Sequence, residues 1–233
     1  MKFETPLIEG ILLKRYKRFL ADVQLRGKNT IVAHVPNSGS MLGVSGPGSL
    51  CRVSISTNPN RKLAHTLEMV RGAEGCWVGV NTSLTNRLVS EAFQQKRVAD
   101  WIKFNEITSE IKISEESRLD FLLSSPQVRR YVEVKNVSMA KPPFAVFPDA
   151  PTVRGQKHLR DLADLVKKGS EAEIFFVVQR EDCSMFRPCD EIDPEYGKLL
   201  RKVTKENVKI SCWSCRIREG EIELDKPLMV NLD

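Results

Sequence analysis

Residues 118–137 constrain this chain more tightly than any other stretch. They read Arg-Leu-Asp-Phe-Leu-Leu-Ser-Ser-Pro-Gln-Val-Arg-Arg-Tyr-Val-Glu-Val-Lys-Asn-Val. Two β-type runs, Leu119–Leu123 and Tyr131–Val137, flank a loop containing Ser124, Ser125, Pro126 and Gln127, which is the pattern of a hairpin. Side chains alternate across a strand, so Leu119, Phe121 and Leu123 share one face and Asp120 takes the other. On the second strand Val132 and Val134 face one way, Glu133 and Lys135 the opposite way. If both apolar sets cover one core, Asp120, Glu133 and Lys135 meet on the far side. Two carboxylates and one amine then converge on a rigid sheet.

That trio has a chemical logic. Two carboxylates hold one hard cation such as Mg²⁺ or Mn²⁺, with phosphate and water filling the remaining positions. Such an ion acidifies a bound water and screens charge on phosphoryl oxygens. A neighbouring lysine orients the attacking water or stabilises an anionic transition state. Asp, a gap, then Glu-x-Lys on a hairpin resembles the PD-(D/E)XK nuclease superfamily, here as Asp120 and Glu133-Val134-Lys135, with Leu119 where a proline often stands. The competing reading is a surface ion pair between Glu133 and Lys135.

A length of 233 residues allows one large domain or two small ones, and 41% apolar with 28% charged residues is ordinary for a globular protein. No apolar run approaches the ~20 residues of a membrane span. Glu4 and Glu9 interrupt the N-terminal stretch where a signal peptide would be apolar, and the six cysteines are scattered. The expectation is a cytoplasmic protein with no membrane partner. A net charge of +6 suits a polyanionic partner modestly. The distribution of charge says more: Lys14, Arg15, Lys17 and Arg18 surround Tyr16 and Phe19, and further clusters are Arg61–Lys62 and Arg129–Arg130.

Residues 1–80 read as short strands, 7–16, 19–25, 30–35, 50–56 and 76–80, with turns at Pro36-Asn37-Ser38-Gly39, Gly46-Pro47-Gly48 and Asn58-Pro59-Asn60. Short strands at this density suit a small barrel, and the OB-fold is the five-stranded candidate. Such barrels hold single strands through a basic groove and aromatic platforms, which gives Arg15, Lys17 and Arg18 phosphates to meet and Tyr16 a base to stack on. The plainer alternative is an amphipathic edge strand with solvated cations.

The pattern changes at Asn81. Residues 82–95 have helical spacing, with Leu84, Leu88 and Ala92 on one stripe and Glu91 on or beside it. A carboxylate there needs a partner or a role. Arg87 is the candidate partner, and a third acid for the metal site is the candidate role. A strand over 106–113 precedes the hairpin, and an irregular stretch follows it. Residues 152–168 form an amphipathic helix whose stripe is Leu159, Leu162, Ala163 and Val166, with Gly169 as its stop. Its first turns carry Arg154-Gly155-Gln156-Lys157-His158. Gly155 permits close backbone approach. Gln156 leans toward the sheet, as a candidate for positioning water or a strand, and Lys157 and His158 lean outward. A buried strand at 172–179, a loop, a helix at 194–207, a strand at 208–216 and an extended tail complete the chain. From residue 82 the order begins helix, three strands, helix, strand.

Cys212-Trp213-Ser214-Cys215 has a zinc-like spacing, but on a strand those two thiols face opposite ways, so buried free thiols are expected. There is no phosphate-binding Gly-rich loop and no Gly-x-Ser-x-Gly elbow.

Several stretches together resemble one family, the bacterial and archaeal sugar fermentation stimulation protein A family. They are residues 15–22 (RYKRFLAD), 34–39 (HVPNSG), 80–82 (VNT) with Asn86-Arg87, 118–120 (RLD), 133–135 (EVK), 147–150 (FPDA) and 154–159 (RGQKHL). The resemblance implies an α+β protein: an N-terminal OB-like five-stranded β-barrel over 1–80, followed by a PD-(D/E)XK nuclease-like αβββαβ domain over 81–233. It implies binding of DNA, with RNA as a second candidate. It also implies divalent-metal-dependent phosphodiester hydrolysis with Asp120 and Glu133 as metal ligands and Lys135 at the reacting water; Glu91 and Gln156, singled out above by their helix positions, are the candidate supporting residues. Arg61, Lys62, Arg154 and Lys157 join the barrel cations as nucleic-acid contacts. The alternative within the family is a non-catalytic DNA-binding transcriptional regulator of sugar metabolism genes. A homo-oligomer is compatible with the sequence, but no motif fixes one.

Overall fold

A computed structural model describes residues 1–27, 29–72 and 75–233. The first half of the fold is a barrel made of β1 (Ile8–Tyr16), β2 (Leu20–Leu25), β3 (Thr30–His34), β4 (Leu50–Ile55) and β5 (His65–Arg71), with the short β6 (Trp77–Gly79) added beside β5. The strands run in the order β3-β2-β1-β4-β5-β6, and parallel pairing of β3 with β5 closes the ring. Alternation builds the interior. Every second residue of β2 is buried, and Ala21, Val23 and Leu25 meet Leu12, Ala33, Val53 and Leu67 inside. The barrel is thus OB-like and five-stranded, but one of its members differs from expectation. His65–Arg71 closes it, while the expected strand at 76–80 is the add-on β6. Buried Glu68 interrupts the apolar signal of β5, and its charge is accommodated by Ser54 Oγ at 2.6 Å and Asn81 Nδ2 at 2.7 Å.

The second half is a six-stranded sheet flanked by helices. After a 3-10 turn at Thr82–Leu84 come α1 (Thr85–Gln94), β7 (Glu106–Ser114), β8 (Ser117–Ser124), β9 (Arg129–Val137), β10 (Ala140–Lys141), β11 (Phe144–Phe147) and α2 (Val153–Lys167). They are followed by β12 (Glu171–Val178), β13 (Met185–Pro188), α3 (Pro194–Lys205), β14 (Lys209–Arg218), β15 (Glu221–Pro227) and β16 (Met229–Val230). The main sheet has the order β15-β14-β12-β9-β8-β7, with β9, β12 and β14 mutually parallel. The stretches expected to be irregular after β9 and β12 instead pair into a small sheet, β10-β11-β13-β16. Their strands are two to four residues long, too short to carry a period.

Two cores cover the main sheet. The face under α1 holds Leu88, Phe121, Leu123, Val132, Val134, Phe175 and Cys215, and the face under α2 and α3 holds Leu119, Leu159, Leu162, Phe176, Tyr196 and Cys212. Cys212 and Cys215 therefore fall on opposite sides, as free thiols. No helix among the described residues is long and apolar enough to cross a membrane. Met1–Phe3 lie along β15 rather than in the barrel: Lys2 bridges to Glu221, and Phe3 N–H donates to Gly220 O at 3.0 Å.

Candidate active site

The hairpin of β8 and β9 forms, but its alternation breaks at one residue. Antiparallel pairing runs from Ser124↔Arg129 to Phe121↔Val132 and stops there. At the next position Asp120 turns its carboxylate toward β9, and Oδ2 accepts the Val134 N–H at 2.8 Å. Leu119 consequently packs with the α2-side core while Phe121 and Leu123 stay under α1, so these three residues do not share one face as a regular strand requires. Asn86, in the first turn of α1, donates Nδ2 to Asp120 Oδ1 at 2.8 Å.

Glu133 is the buried partner, 3% exposed. Its Oε1 accepts Lys135 Nζ at 2.6 Å and the ring Nδ1 of His158. A carboxylate only accepts, so Nδ1 carries the hydrogen in that contact. Lys135 Nζ, 3.4 Å from the same ring nitrogen, then shares the acceptor with it instead of bonding to it.

Electrostatics tie the three expected groups together. Burial, and then the charge of Glu133, push the Asp120 carboxyl up to about 6, against the bonds from Asn86 and Val134 and the charge of Lys135. Burial would also raise Glu133, but His158 and Lys135 outweigh it and hold that carboxyl below its ordinary range. Two buried acids that repel each other, one with its proton held tightly, make a site short of positive charge. Among the described residues no three His, Cys, Asp or Glu side chains form a ready cage. Two carboxylates from neighbouring strands are nonetheless the oxygen donors a Mg²⁺-type ion uses, so the chemistry of the residues fits one.

His158, expected to lean into solvent, is instead 4% exposed. The signal lies in the periodicity: His158 is four residues before Leu162 and beside Leu159, on the buried stripe of α2. Its polarity hides it among the apolar positions. His158 also lines a hollow of ≈ 290 Å³ whose charged residues are Lys112, Arg118, Arg154 and Lys157 with Glu115 and Glu116. Lys157 pairs with Asp161 at 3.2 Å in a half-buried contact.

Other expected site residues are engaged elsewhere. Glu91 takes the Met1 ammonium at 2.9 Å and Gln95 Nε2 at 3.0 Å, so neither the third-acid role nor a pair with Arg87 describes its contacts. Gln156 donates Nε2 to Asp193 Oδ1 at 3.1 Å, because Asp193 caps α3 against the start of α2. Gly155 does need its small size there, since a Cβ would lie 2.8 Å from Thr152 Cγ2.

Among the barrel cations, Arg15 is a brace. It donates Nε to Arg18 O at 2.9 Å, Nη1 to Ser40 O at 2.9 Å, and Nη2 to Asn37 O at 2.8 Å and Gly39 O at 2.9 Å. Burial lowers its pKa in spite of the opposing charge of Asp149. Tyr16 donates its hydroxyl to Asp22 at 3.0 Å, and Lys14 covers its ring at 5.2 Å, so that ring is no open platform. Arg130 is internal, bound to Asp100, Glu171 and Glu173. Lys17, Arg18, Arg61, Lys62 and Arg154 are exposed, with Arg61 Nη2 3.3 Å from His34 Nδ1.

Comparison with known proteins agrees with this architecture. The SfsA N-terminal OB domain matches residues 13–80, and the sugar fermentation stimulation protein RE domain matches residues 83–221. A sugar fermentation stimulation protein homolog of Geobacter metallireducens is 48% identical, covering 100% of both chains. That of Bdellovibrio bacteriovorus is 46% identical over 98% of each. The structure of Pyrococcus furiosus SfsA in complex with Ca²⁺ superposes with a TM-score of 0.91 at 25% identity, covering 99% of this chain and 98% of that one. The chain belongs to the sugar fermentation stimulation protein family.

Proposed function

We propose that this protein is a cytoplasmic, divalent-metal-dependent nuclease that hydrolyses phosphodiesters of DNA, with RNA as the second candidate substrate. In this reading residues 1–80 guide the strand and residues 81–233 cut it. The observation that carries the proposal is the electrostatic coupling of Asp120, Glu133 and Lys135 at the opened end of a hairpin. Asp120 and Glu133 would hold Mg²⁺ or Mn²⁺. The Ca²⁺ of the Pyrococcus furiosus relative supports a divalent ion in a protein of this fold. When bound, the ion supplies positive charge against phosphoryl oxygens and acidifies a water.

The chain's own residues do the rest. Asn86 and the Val134 N–H fix both oxygens of Asp120. His158 orients Glu133. Lys135 Nζ stands where it can direct an attacking water and offset charge growing on the phosphorus oxygens. In the hollow beside His158 the cations Lys112, Arg118, Arg154 and Lys157 outnumber the acids Glu115 and Glu116, which supports approach of a phosphate backbone there.

The test is cleavage of labelled single- and double-stranded DNA and RNA with Mg²⁺ or Mn²⁺, with Lys135→Ala as control. Wild-type cleavage lost in the variant is the expected result, and equal cleavage by both removes the site from the mechanism. One observation favours the regulator reading: Glu133 is already neutralised by Lys135 and His158. Salt-sensitive DNA binding that survives Asp120→Asn, with no cleavage under any divalent ion, is its signature.

A further inference from the structure

A cleft of ≈ 380 Å³ lies where the barrel meets the second domain, apart from the hollow beside His158. One wall is Arg18 and Asn37–Gly39 of the barrel, and the other is the end of β9 with the segment after β11. The cleft sits beyond the carboxyl end of β9, which is parallel to β12, the position where open α/β sheets take ligands.

It is joined to the acidic pair through two elements. Asn136, in the cleft wall, follows Lys135 on β9. Thr85 Oγ1 donates to Asn136 Oδ1 at 3.2 Å, and the next residue, Asn86, holds Asp120 at 2.8 Å. A single turn of α1 therefore braces both places.

The walls are fixed. Arg15 gathers the carbonyls of Asn37, Gly39 and Ser40, Asp149 accepts the Ser40 hydroxyl at 3.2 Å and the Met41 N–H at 3.0 Å, and Thr82 Oγ1 donates to Pro36 O at 2.8 Å. Lys17 and Arg18 occupy left-handed backbone, φ 47° and 64°, at the tip of the β1–β2 hairpin. Residues with a Cβ accept that strain where surrounding structure over-determines it, and here the Arg15 bond to Arg18 O does so.

The interior has polar capacity left over. The Arg18 guanidinium, Asn136 Nδ2 and the hydroxyls of Ser38 and Ser138 bond to no described residue, although Ser138 is only 6% exposed. Met139, Val146, Phe147 and Pro148 add apolar surface. Water satisfies these groups in the open cleft, and a ligand with matching polar atoms can take its place. An apolar face, an amide donor with two hydroxyls, and one cation match the face, edge and phosphate of a nucleotide. The volume falls within the ~300–1,000 Å³ of small-ligand clefts and does not admit a duplex.

We propose that this cleft receives one unstacked nucleotide of a bound strand, beside the acidic pair. The proposal rests on the nucleic-acid reading given above and narrows its substrate class. Extruding a base is least costly where it is unpaired, so the substrate is a single strand or the unpaired end of a duplex.

The test places 2-aminopurine at successive positions of a short single-stranded oligonucleotide, with Ca²⁺ present, and measures binding and fluorescence together. Unstacking raises the fluorescence of that base. The expected result is a severalfold rise at one position, lost in Ser38→Leu, in which the oligonucleotide still binds, and lost also in Arg18→Ala, whose weaker binding is brought to saturation with more protein. Both substitutions are at exposed positions, and circular dichroism checks that the variants fold. Binding with no rise at any position, or a rise unchanged in both variants, overturns the cleft proposal and leaves the nuclease reading standing. No binding at all overturns both.

Discussion

The Asp120 carboxylate accepts the backbone N–H of Val134 at 2.8 Å, one residue past Glu133. In an unbroken antiparallel pair the neighbouring main chain supplies such an acceptor. A side chain stands in for the ladder here, and β8 and β9 cease to pair beyond Phe121↔Val132. The same bond that opens the hairpin therefore fixes one acid of the site against the strand that carries the other acid and the lysine. His158 from α2 and Asn86 from α1 then hold the two carboxylates from opposite layers.

Asp120→Asn is expected to stabilise the metal-free protein at neutral pH. Burial and Glu133 raise the Asp120 carboxyl from 3.8 to about 6. A folded pKa above the unfolded one means that the favourable contribution is full below pH 3.8 and is lost as pH rises through 6. At pH 7 the ionised group thus costs the fold up to about 2–3 kcal/mol, because each tenfold rise in proton affinity on folding corresponds to about 1.4 kcal/mol. Urea unfolding should place the variant above wild type at pH 7, by less at pH 5, and Mn²⁺ should stabilise only the wild type. A variant less stable than wild type at pH 7 contradicts the electrostatic account.

His158→Ala is expected to weaken divalent-ion binding by about 10–100-fold, the usual effect of removing a group that orients a ligating carboxylate. His158→Gln, which keeps a donor, should recover part of the loss. Calorimetric titration with Mn²⁺ reads both, and unchanged affinity in the alanine variant would reduce His158 to packing.

Arg15 and Arg18 should separate in salt. Arg18→Ala removes a free cation, so the slope of log affinity against log salt should fall by about one. Arg15→Ala should weaken binding without changing that slope, and cost about 1–3 kcal/mol of stability, because its guanidinium is spent on backbone carbonyls. Arg15→Lys should restore little, since an ammonium lacks the planar fork.

Gly39→Ala should loosen the junction between barrel and sheet. A Cβ at Gly39 would lie 2.6 and 2.8 Å from the two carboxylate oxygens of Asp149. Relieving that contact breaks the bonds to Ser40 and Met41. A loss of about 1–3 kcal/mol is expected, with faster hydrogen exchange at the Met41 amide. Wild-type exchange at Met41 would show that the junction is held by other contacts.

Much of the candidate site was legible because strand alternation is a local rule. It put Glu133 and Lys135 together two residues apart, and the αβββαβ order placed helices to cover the hairpin. Legibility ended where a residue's partner lies far along the chain. Glu91 sits on a mostly apolar stripe, yet its contact is the Met1 ammonium. Gln156 leans inward but meets Asp193, set by the docking of α3 against α2. Arg15 looked like a phosphate ligand because charge and exposure are easily confused in a sequence.

Periodicity and turn chemistry, which depend on a few consecutive residues, determined the barrel, the helices and the hairpin bearing Asp120 and Glu133. Tertiary contact alone decided that His158 would be buried against Glu133, that Asp120 would interrupt a ladder, and that barrel and sheet would leave a polar cleft between them. Those outcomes depend on which surfaces meet across tens of residues, and burial and charge there follow from the assembled neighbours rather than from any one segment.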